Sequence, residues 1–319
     1  MDQLGKPMRI ATLDVALAQQ ARLDRLLEFP HEFVAPAEAL QEVDVVVALR
    51  FGSAEADRYS TRVLHLPGAG ADAVDLRALR TGTVVCNVFE HEIPIAEYVL
   101  AAILEHSVGY SGLRKSFDAA RWQESYAARR THAEVFGKTL GLIGYGHIGR
   151  AVTVRAKAFG MVVRVVSRSG RAPEADWAGG ASELHQMLRL VDFLVIACPL
   201  TPETRGLIGA VELAAMKPTA VLINIARAQV VQEEPLYRAL ADHRLGGATL
   251  DVWYDYPAPD KAVAYPSSQP FAALENVHCT AHSSAWTQEL FERRYAFIAN
   301  NLARLRRGIP LLNVIFSAP

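Results

Sequence analysis

A glycine-rich turn, Gly144-Tyr145-Gly146-His147-Ile148-Gly149, constrains the fold of this chain more than any other feature. It follows a short apolar run and opens a helical pattern, and glycines at these spacings let the backbone approach a bound pyrophosphate. The N-terminus of the following helix would stabilise the charge of that pyrophosphate. A lone turn of this kind is weakly specific, but the strand-turn-helix-strand context favours a dinucleotide-binding site. The predicted cofactor contacts are Gly144, Gly146, His147, Ile148 and Gly149.

Short apolar runs alternate with helical patterns from residue 139 onward, which is typical of a parallel sheet covered by helices. A smaller unit with the same alternation precedes residue 100, and the 319 residues are enough for two domains. The helical pattern over residues 291–307 is expected to return to the first domain. The predicted strands are 9–13, 43–49 and 63–66 in the smaller unit and 139–143, 162–166, 193–197, 220–225 and 248–250 in the larger one.

Composition excludes several classes of protein. The formal charge of −1 and the scattered Lys and Arg residues argue against nucleic-acid binding, and 51% hydrophobic residues are typical of a folded globular chain. Apolar runs fall short of the roughly 20 residues of a membrane span, so no membrane association is expected. Without a secretion signal at the N-terminus, we expect a cytoplasmic location. The three cysteines lack metal-ligand spacing, so they are expected to be reduced thiols and no metal site is predicted.

The segment after the second strand of the larger unit bears on the choice of cofactor. An acidic residue there normally binds the adenosine ribose of NAD, but no carboxylate occurs before Glu174. Arginines form bidentate bonds to phosphate, so this segment favours NADP, with NAD possible. The alternative is that these arginines are merely solvated. The residues concerned are Ser167, Arg168, Ser169 and Arg171.

Several further motifs, in order and spacing, resemble those of the D-isomer-specific 2-hydroxyacid dehydrogenases, of the glyoxylate and hydroxypyruvate reductase type. The resemblance covers nearly the whole chain and includes the early loop 68–72 and the Ala96-Glu97 pair. The motifs are Cys198-Pro199-Leu200-Thr201-Pro202-Glu203-Thr204, Asn224-Ile225-Ala226-Arg227, Leu250-Asp251-Val252 and Thr280-Ala281-His282.

The resemblance implies an α/β fold with two Rossmann-like domains. One is a doubly wound dinucleotide-binding domain over 99–285, and the other is a smaller, discontinuous, flavodoxin-like substrate domain over 1–98 plus 286–319. It also implies a homodimer formed through residues 96–135.

The resemblance further implies roles for single residues. Arg227 would bind the carboxylate of a 2-keto acid and polarise its ketone, and His282 would be the general acid. Asp251 would orient the nicotinamide amide. Backbone amides of Ala69, Gly70 and Ala71 would hold the substrate carboxylate, and Cys198, Pro199, Thr204 and Ala226 would contact the cofactor.

The chain departs from the family pattern at Tyr256, where the family has a glutamate that raises the pKa of the histidine. A neutral phenol can hydrogen-bond an imidazole but cannot stabilise imidazolium as a carboxylate does. Asp255 is adjacent but should point elsewhere, and Glu92 with His91 is the other candidate for compensation. Ala228, where the family usually has glycine, is a smaller departure.

Two classes of function remain open. The first is an oxidoreductase that transfers a hydride between NAD(P)H and a small 2-keto acid. The second is a non-catalytic NAD(H)-sensing protein of the corepressor type, which the missing glutamate favours and the retention of Arg227 and His282 opposes. Phosphite and formate dehydrogenases of the same family rank lower among the enzymes. The sequence does not specify which 2-keto acid is the substrate.

Overall fold

The computed structural model describes residues 6–36, 38–129, 131–257 and 265–319. The chain groups into two compact units, Met1–Glu90 with Trp286–Pro319 and His91–Ala285, so the first unit is discontinuous in sequence. Each unit is built on one sheet. Within the described ranges, no helix is long and apolar enough to cross a membrane.

The N-terminal part of the first unit alternates strands with short helices. Its elements are β1 (Met8–Leu13), α1 (Leu17–Leu26), β2 (His31–Phe33), β3 (Gln41–Ala48), α2 (Ser53–Arg58), β4 (Tyr59–His65) and β5 (Val84–Cys86).

The second unit begins with three helices and continues as a regular strand and helix alternation. The helices are α3 (Glu92–Val108), α4 (Tyr110–Lys115) and α5 (Ala119–Ala128). The alternation comprises β6 (Thr139–Ile143), α6 (His147–Ala158), β7 (Val162–Val166), β8 (Trp177–Gly179), α7 (Leu184–Leu188), β9 (Phe193–Ile196), α8 (Ala210–Ala215), β10 (Val221–Asn224), α9 (Glu233–Ala241), β11 (Gly247–Leu250) and β12 (Val277–Cys279).

The chain then returns to the first unit through α10 (Gln288–Arg306) and β13 (Val314–Ser317). The first sheet has the order β13-β5-β4-β3-β1-β2, in which only β13 is antiparallel to its neighbour among the described strands. Helix α10 packs beside α1, where Ile298 and Leu302 join Leu23 in a core with Val45 and Val63 of the sheet. The returning helix therefore completes this core.

The second sheet has the order β12-β11-β10-β9-β6-β7-β8, and all its pairs are parallel. Its two faces are covered by different helices: Val152 of α6 and Ile103 of α3 belong to one core, and Met187 of α7 and Leu240 of α9 belong to the other. Helices on both faces confirm the predicted doubly wound arrangement.

All eight predicted strands are present, with ends shifted by a few residues, and the predicted helix 291–307 is α10. Strands β2, β5, β8 and β12 were not predicted; each has three residues, too few to show a period. Strand β13 was not predicted either. The four prolines of residues 254–270 predict a long loop, and this range includes residues 258–264, which lie outside the described residues.

Candidate active site

The glycine-rich turn joins β6 to α6, and two of its glycines are required by packing. Gly144 has φ of 102°, and a Cβ there would lie 2.6 Å from the carbonyl oxygen of Ala197. A Cβ on Gly149 would lie 2.5 Å from the carbonyl oxygen of Gly144. Both positions therefore exclude a side chain, because the turn packs against the end of β9 and against itself.

Gly146 differs from these two because a Cβ there would meet nothing within 4 Å. It is the N-cap of α6, so the open space lies beside the first unpaired N–H groups of a helix of 12 residues. Space at this glycine, rather than a packing contact, is what a bound pyrophosphate requires. The geometry of the turn fits a dinucleotide.

The segment that follows β7 presents cationic and hydroxyl groups. Arg168 and Arg171 are exposed, and the hydroxyl of Ser169 accepts a hydrogen bond from the Arg171 N–H at 3.3 Å. The first carboxylate of this segment, on Glu174, accepts a hydrogen bond from the Tyr145 hydroxyl in the glycine-rich turn. The segment after β7 therefore presents exposed positive charge and hydroxyl groups, and its first carboxylate is bonded to the glycine-rich turn.

The loop after β9 holds itself together through one hydroxyl. Thr204 Oγ1 donates to the carbonyl of Pro199 at 2.7 Å and accepts from the N–H of Thr201 at 2.7 Å. Cys198 is buried, and burial raises its pKa to about 11, so it stays a thiol as predicted. Its thiolate is too scarce near neutral pH to act as a nucleophile.

Asp251, directly after β11, is fully buried and holds the loop that carries His282. Its Oδ1 accepts from the Thr280 hydroxyl at 2.6 Å and the Ser283 N–H at 2.8 Å, and Oδ2 accepts from the Ser284 N–H at 3.0 Å. The Asp251 carboxylate thus fixes three donors of the short loop 280–284. It thereby fixes the backbone that positions His282.

Two aromatic residues fix the same loop from other directions. The Trp253 indole N–H donates to the carbonyl of Thr280 at 2.8 Å, and the Tyr98 hydroxyl lies 2.6 Å from Thr280 Oγ1. Sequence reasoning missed these partners and the two serines. The hydroxyl-rich segment 280–284 beside a buried strand aspartate was the available signal.

His282 sits at φ of 55°, and its Nδ1 lies 2.8 Å from the hydroxyl of Tyr256. The Tyr256 oxygen also accepts from the Trp253 N–H at 3.2 Å, and the Asp255 carboxylate accepts from the Tyr256 N–H at 2.9 Å. The phenol of Tyr256 therefore bonds to Nδ1 of His282 from the sequence position where the family pattern has a glutamate. Asp255 points to backbone, as the predicted register requires.

Glu92, the other candidate partner, does not reach His282 within the described part of the chain. Its Oε2 lies 4.0 Å from His91 Nδ1, and it has no hydrogen-bond partner among the described residues. Compensation for the missing glutamate by Glu92 therefore has no support in this geometry.

The electrostatics of the cluster oppose a charged imidazole. Burial lowers the pKa of His282, and the positive charge of Arg227 adds to this effect while Asp251 opposes it. Burial also raises the pKa of Tyr256, and Arg227 acts in the opposite direction. Arg227 follows β10, and its guanidinium donates to the carbonyl of Ala226 at 2.8 Å. One cation, one imidazole and one phenol thus influence each other at one edge of the sheet.

In the first unit, the loop over residues 68–72 follows β4. The Asn87 side-chain amide donates to the carbonyl of Ala69 at 2.8 Å, and the Val88 N–H donates to the carbonyl of Gly68 at 3.2 Å. Among the described residues, none accepts from the N–H groups of residues 69–71. These amides are therefore available to an anion.

The family profile described as the D-isomer specific 2-hydroxyacid dehydrogenase NAD-binding domain matches residues 100–284. This chain belongs to the D-isomer-specific 2-hydroxyacid dehydrogenase family. It is 31% identical to a D-3-phosphoglycerate dehydrogenase of Methanocaldococcus jannaschii over 80% of this chain and 47% of the relative. It is 42% identical to a glyoxylate reductase of Thermococcus gammatolerans over 55% of this chain and 50% of the relative.

The chain thus spans about half the length of these two relatives. A glyoxylate reductase of Thermococcus litoralis is 31% identical over 85% of this chain and 83% of its own length. A solved 2-hydroxyacid dehydrogenase from Ketogulonicigenium vulgare has 27% identity and a TM-score of 0.77, covering 98% of this chain and 99% of that one. The predicted two-domain Rossmann fold is confirmed by this likeness.

Proposed function

We propose that this protein is an NAD(P)H-dependent reductase of small 2-keto acids that also oxidises the corresponding D-2-hydroxy acids. The observation that carries the proposal is the grouping of Arg227, Tyr256 and His282 beyond the carboxyl ends of β10, β11 and β12. Ligands of open parallel sheets bind at this edge, and the same sheet carries the glycine-rich turn. Family membership and relatives named glyoxylate reductase support the reaction type.

The substrate has a carboxylate beside a ketone, so its reduction needs an anion-binding group and a proton donor. Arg227 supplies a guanidinium that binds the carboxylate and polarises the ketone. In the first unit, the N–H groups of residues 69–71 have no acceptor among the described residues and can bind an anion. His282 donates a proton at the ketone oxygen, and the bound nicotinamide cofactor supplies the hydride.

The residues that would hold the cofactor are those of the glycine-rich turn, the segment after β7 and the Cys198–Thr204 loop. Both carboxylate oxygens of Asp251 accept hydrogen bonds from the loop that carries His282. We therefore propose that Asp251 acts by holding His282, and that any contact with the nicotinamide is secondary.

NADP is the preferred cofactor in this proposal, since Arg168 and Arg171 are exposed where a ribose carboxylate would otherwise lie. Replacing both arginines by Ala should weaken the binding of NADPH by about 3 kcal/mol and change the binding of NADH little. Replacing Glu203, whose pKa is lowered by a Thr201 hydrogen bond and by Arg168, with Gln should favour NADPH slightly. Equal catalytic efficiency with both cofactors in the wild type would count against this preference.

A panel of 2-keto acids including glyoxylate and hydroxypyruvate, with NADPH oxidation followed and NADH run in parallel, tests the reaction. Phosphite and formate belong in the same panel. A corepressor-type sensor would bind NAD(H) without turnover, whereas a reductase that loses activity on His282→Gln but still binds NADPH supports the proposal.

A homodimer through residues 96–135 is part of the proposal. The exposed large apolar side chains on this segment include Phe117 at 72%, Trp122 at 57% and Tyr126 at 67%. These three form one cluster, with the Trp122 and Tyr126 rings 5.4 Å apart, and such a cluster is typical of a contact surface. Light scattering should give twice the monomer mass, and Trp122→Glu should give a monomer.

A further inference from the structure

The contact between Tyr256 and His282 restricts where the hydrogens of the site can lie. A phenol has one hydrogen and two lone pairs, and the Trp253 N–H takes one of the lone pairs. The hydroxyl oxygen lies 2.8 Å from His282 Nδ1, which is the distance of a good hydrogen bond. Among the described residues, no carboxylate bonds to that nitrogen.

Burial and the charges around this pair favour a neutral imidazole over imidazolium. Arg227 and burial both disfavour a second cation at His282. Asp251 is the opposing charge, but its oxygens accept from Thr280, Ser283 and Ser284 rather than from the imidazole. With the phenol donating to Nδ1, the hydrogen of the neutral ring is on Nε2, the nitrogen left to face a substrate.

We propose that Tyr256 and His282 form a two-residue proton relay in ketone reduction. The proposal rests on the function argued above and names the proton source of that site. As the ketone carbon gains a hydride from the cofactor, the ketone oxygen takes the proton from Nε2 of neutral His282. Nδ1 takes the Tyr256 proton, and the electron pair of the broken O–H bond stays on the phenol oxygen.

The relay leaves a neutral imidazole and a phenolate, so no cation is required on His282 at any stage. Arg227 is the cation that stabilises the phenolate, and the Trp253 N–H already points at its oxygen. Tyr256 is 41% exposed, so water can return its proton. Oxidation of a hydroxy acid runs the same transfers in reverse, starting from the phenolate.

The first test needs no turnover. In protein labelled with nitrogen-15 at histidine, with His282→Gln used to assign the signal, His282 should show a bare Nδ1 and a protonated Nε2 at neutral pH. Tyr256→Phe should weaken this tautomer preference, and Tyr265→Phe, at an exposed tyrosine outside the cluster, should leave it unchanged. Both nitrogens protonated in the wild type would overturn the relay.

The second test determines how many protons move in the rate-limiting transition state. In mixtures of light and heavy water, kcat of the wild type should follow a curved dependence on deuterium fraction, as expected for two moving protons. Tyr256→Phe should lower kcat about tenfold or more with KM little changed, and should give a linear dependence. Tyr256→Glu should restore rate with a linear dependence, because a carboxylate supports an imidazolium donor that transfers a single proton.

A linear dependence in the wild type, or a kcat of Tyr256→Phe within about threefold of the wild type, would overturn the relay while leaving the reductase intact. A protein that reduces none of the keto acids would overturn the proposed function and the relay with it. The nitrogen-15 measurement separates these cases, because it reports the Tyr256 hydrogen bond whether or not the protein turns over.

Discussion

Each unit contains a first strand-turn-helix connection, β1 to α1 in one and β6 to α6 in the other. The residues of the two turns differ. In the first unit β1 leads to α1 through Asp14, at φ of 54°, and Ala16, an N-cap without a side-chain hydrogen bond. In the second unit β6 leads to α6 through Gly144 and Gly146. The second turn combines a close backbone approach with open space at the helix N-terminus, whereas residues 14–16 of the first turn all carry side chains. The comparison teaches that the glycine pattern, rather than the fold, decides which helix can receive a phosphate.

The two units also differ in how their cores close. The second is continuous in sequence, whereas the first depends on Asn301 of α10. Asn301 donates to His65 Nε2 and to the carbonyl of Leu312, and accepts from the Leu312 N–H at 2.9 Å. One buried amide thus links β4, α10 and the segment before β13.

Gly144→Ala should have the largest effect of the substitutions at the two turns. The positive φ and the contact of the new Cβ with the carbonyl of Ala197 should together lower the free energy of unfolding by about 4 kcal/mol. They should also abolish cofactor binding. Gly146→Ala is the matched control, because its Cβ meets no atom of the protein and only cofactor affinity should fall. Thermal unfolding and titration with NADPH measure both. Equal stability of Gly144→Ala and the wild type would disprove the packing argument.

Each unit contains a histidine that the fold keeps neutral, and acid should destabilise both units. His65 of the first unit is fully buried, and His106 of the second unit is partly buried. Burial lowers the pKa of His65 to about 4; burial and the stacked His278 ring, 4.3 Å away, lower that of His106 to about 4. Since the folded state favours the neutral rings, their contribution is complete above about pH 6.5 and is lost as pH falls toward 4.

Each histidine should cost about 3 kcal/mol of stability over that range. Denaturant unfolding of the wild type, His65→Gln and His106→Gln between pH 4 and 7 checks this. Each variant should take up about one proton fewer on unfolding. Slopes identical to that of the wild type would show that these rings are not neutral for the reason given.

Asn301→Ala should destabilise the core of the first unit and leave the second unit unaffected. It leaves His65 and both backbone groups of Leu312 without their partner, at a cost of about 2 kcal/mol. Hydrogen exchange should show the loss in β4 and α10 while β6 and α6 stay protected. Equal loss of protection in both units would mean that they unfold together.

Thr287→Ala should lower the free energy of unfolding by about 1 kcal/mol, less than the substitutions above. The Thr287 hydroxyl accepts from the Leu290 N–H at 3.2 Å and caps α10. Asp118→Ala removes the corresponding cap of α5, a helix without buried residues, and should change global unfolding less. Denaturant midpoints compare them, and a larger effect at Asp118 would contradict the argument.

Sequence predicted the parts of this molecule that repeat or follow a motif. The eight strands with four or more residues and clear apolar runs, the glycine-rich turn and the register at Tyr256 are present in the structure. Three-residue strands such as β5 carry no period, and their place depends on their neighbours.

The missed contacts share a physical cause. Asn301 bonds to His65, and Asp251 to Ser283 and Ser284, across long stretches of chain. A polar residue that is satisfied by a distant partner has the same local signature as a solvated one.

The discontinuity of the first unit sets an order on its synthesis. A ribosome releases β1 to β5 first, then all of the second unit, and only at the end α10 and β13. Until then the nascent strands lack the helix that contributes Ile298 and Leu302 to their core, and β5 has an open edge. Exposed apolar surface and unpaired edges of this kind invite aggregation. The half of the molecule that is made first is therefore the half that matures last.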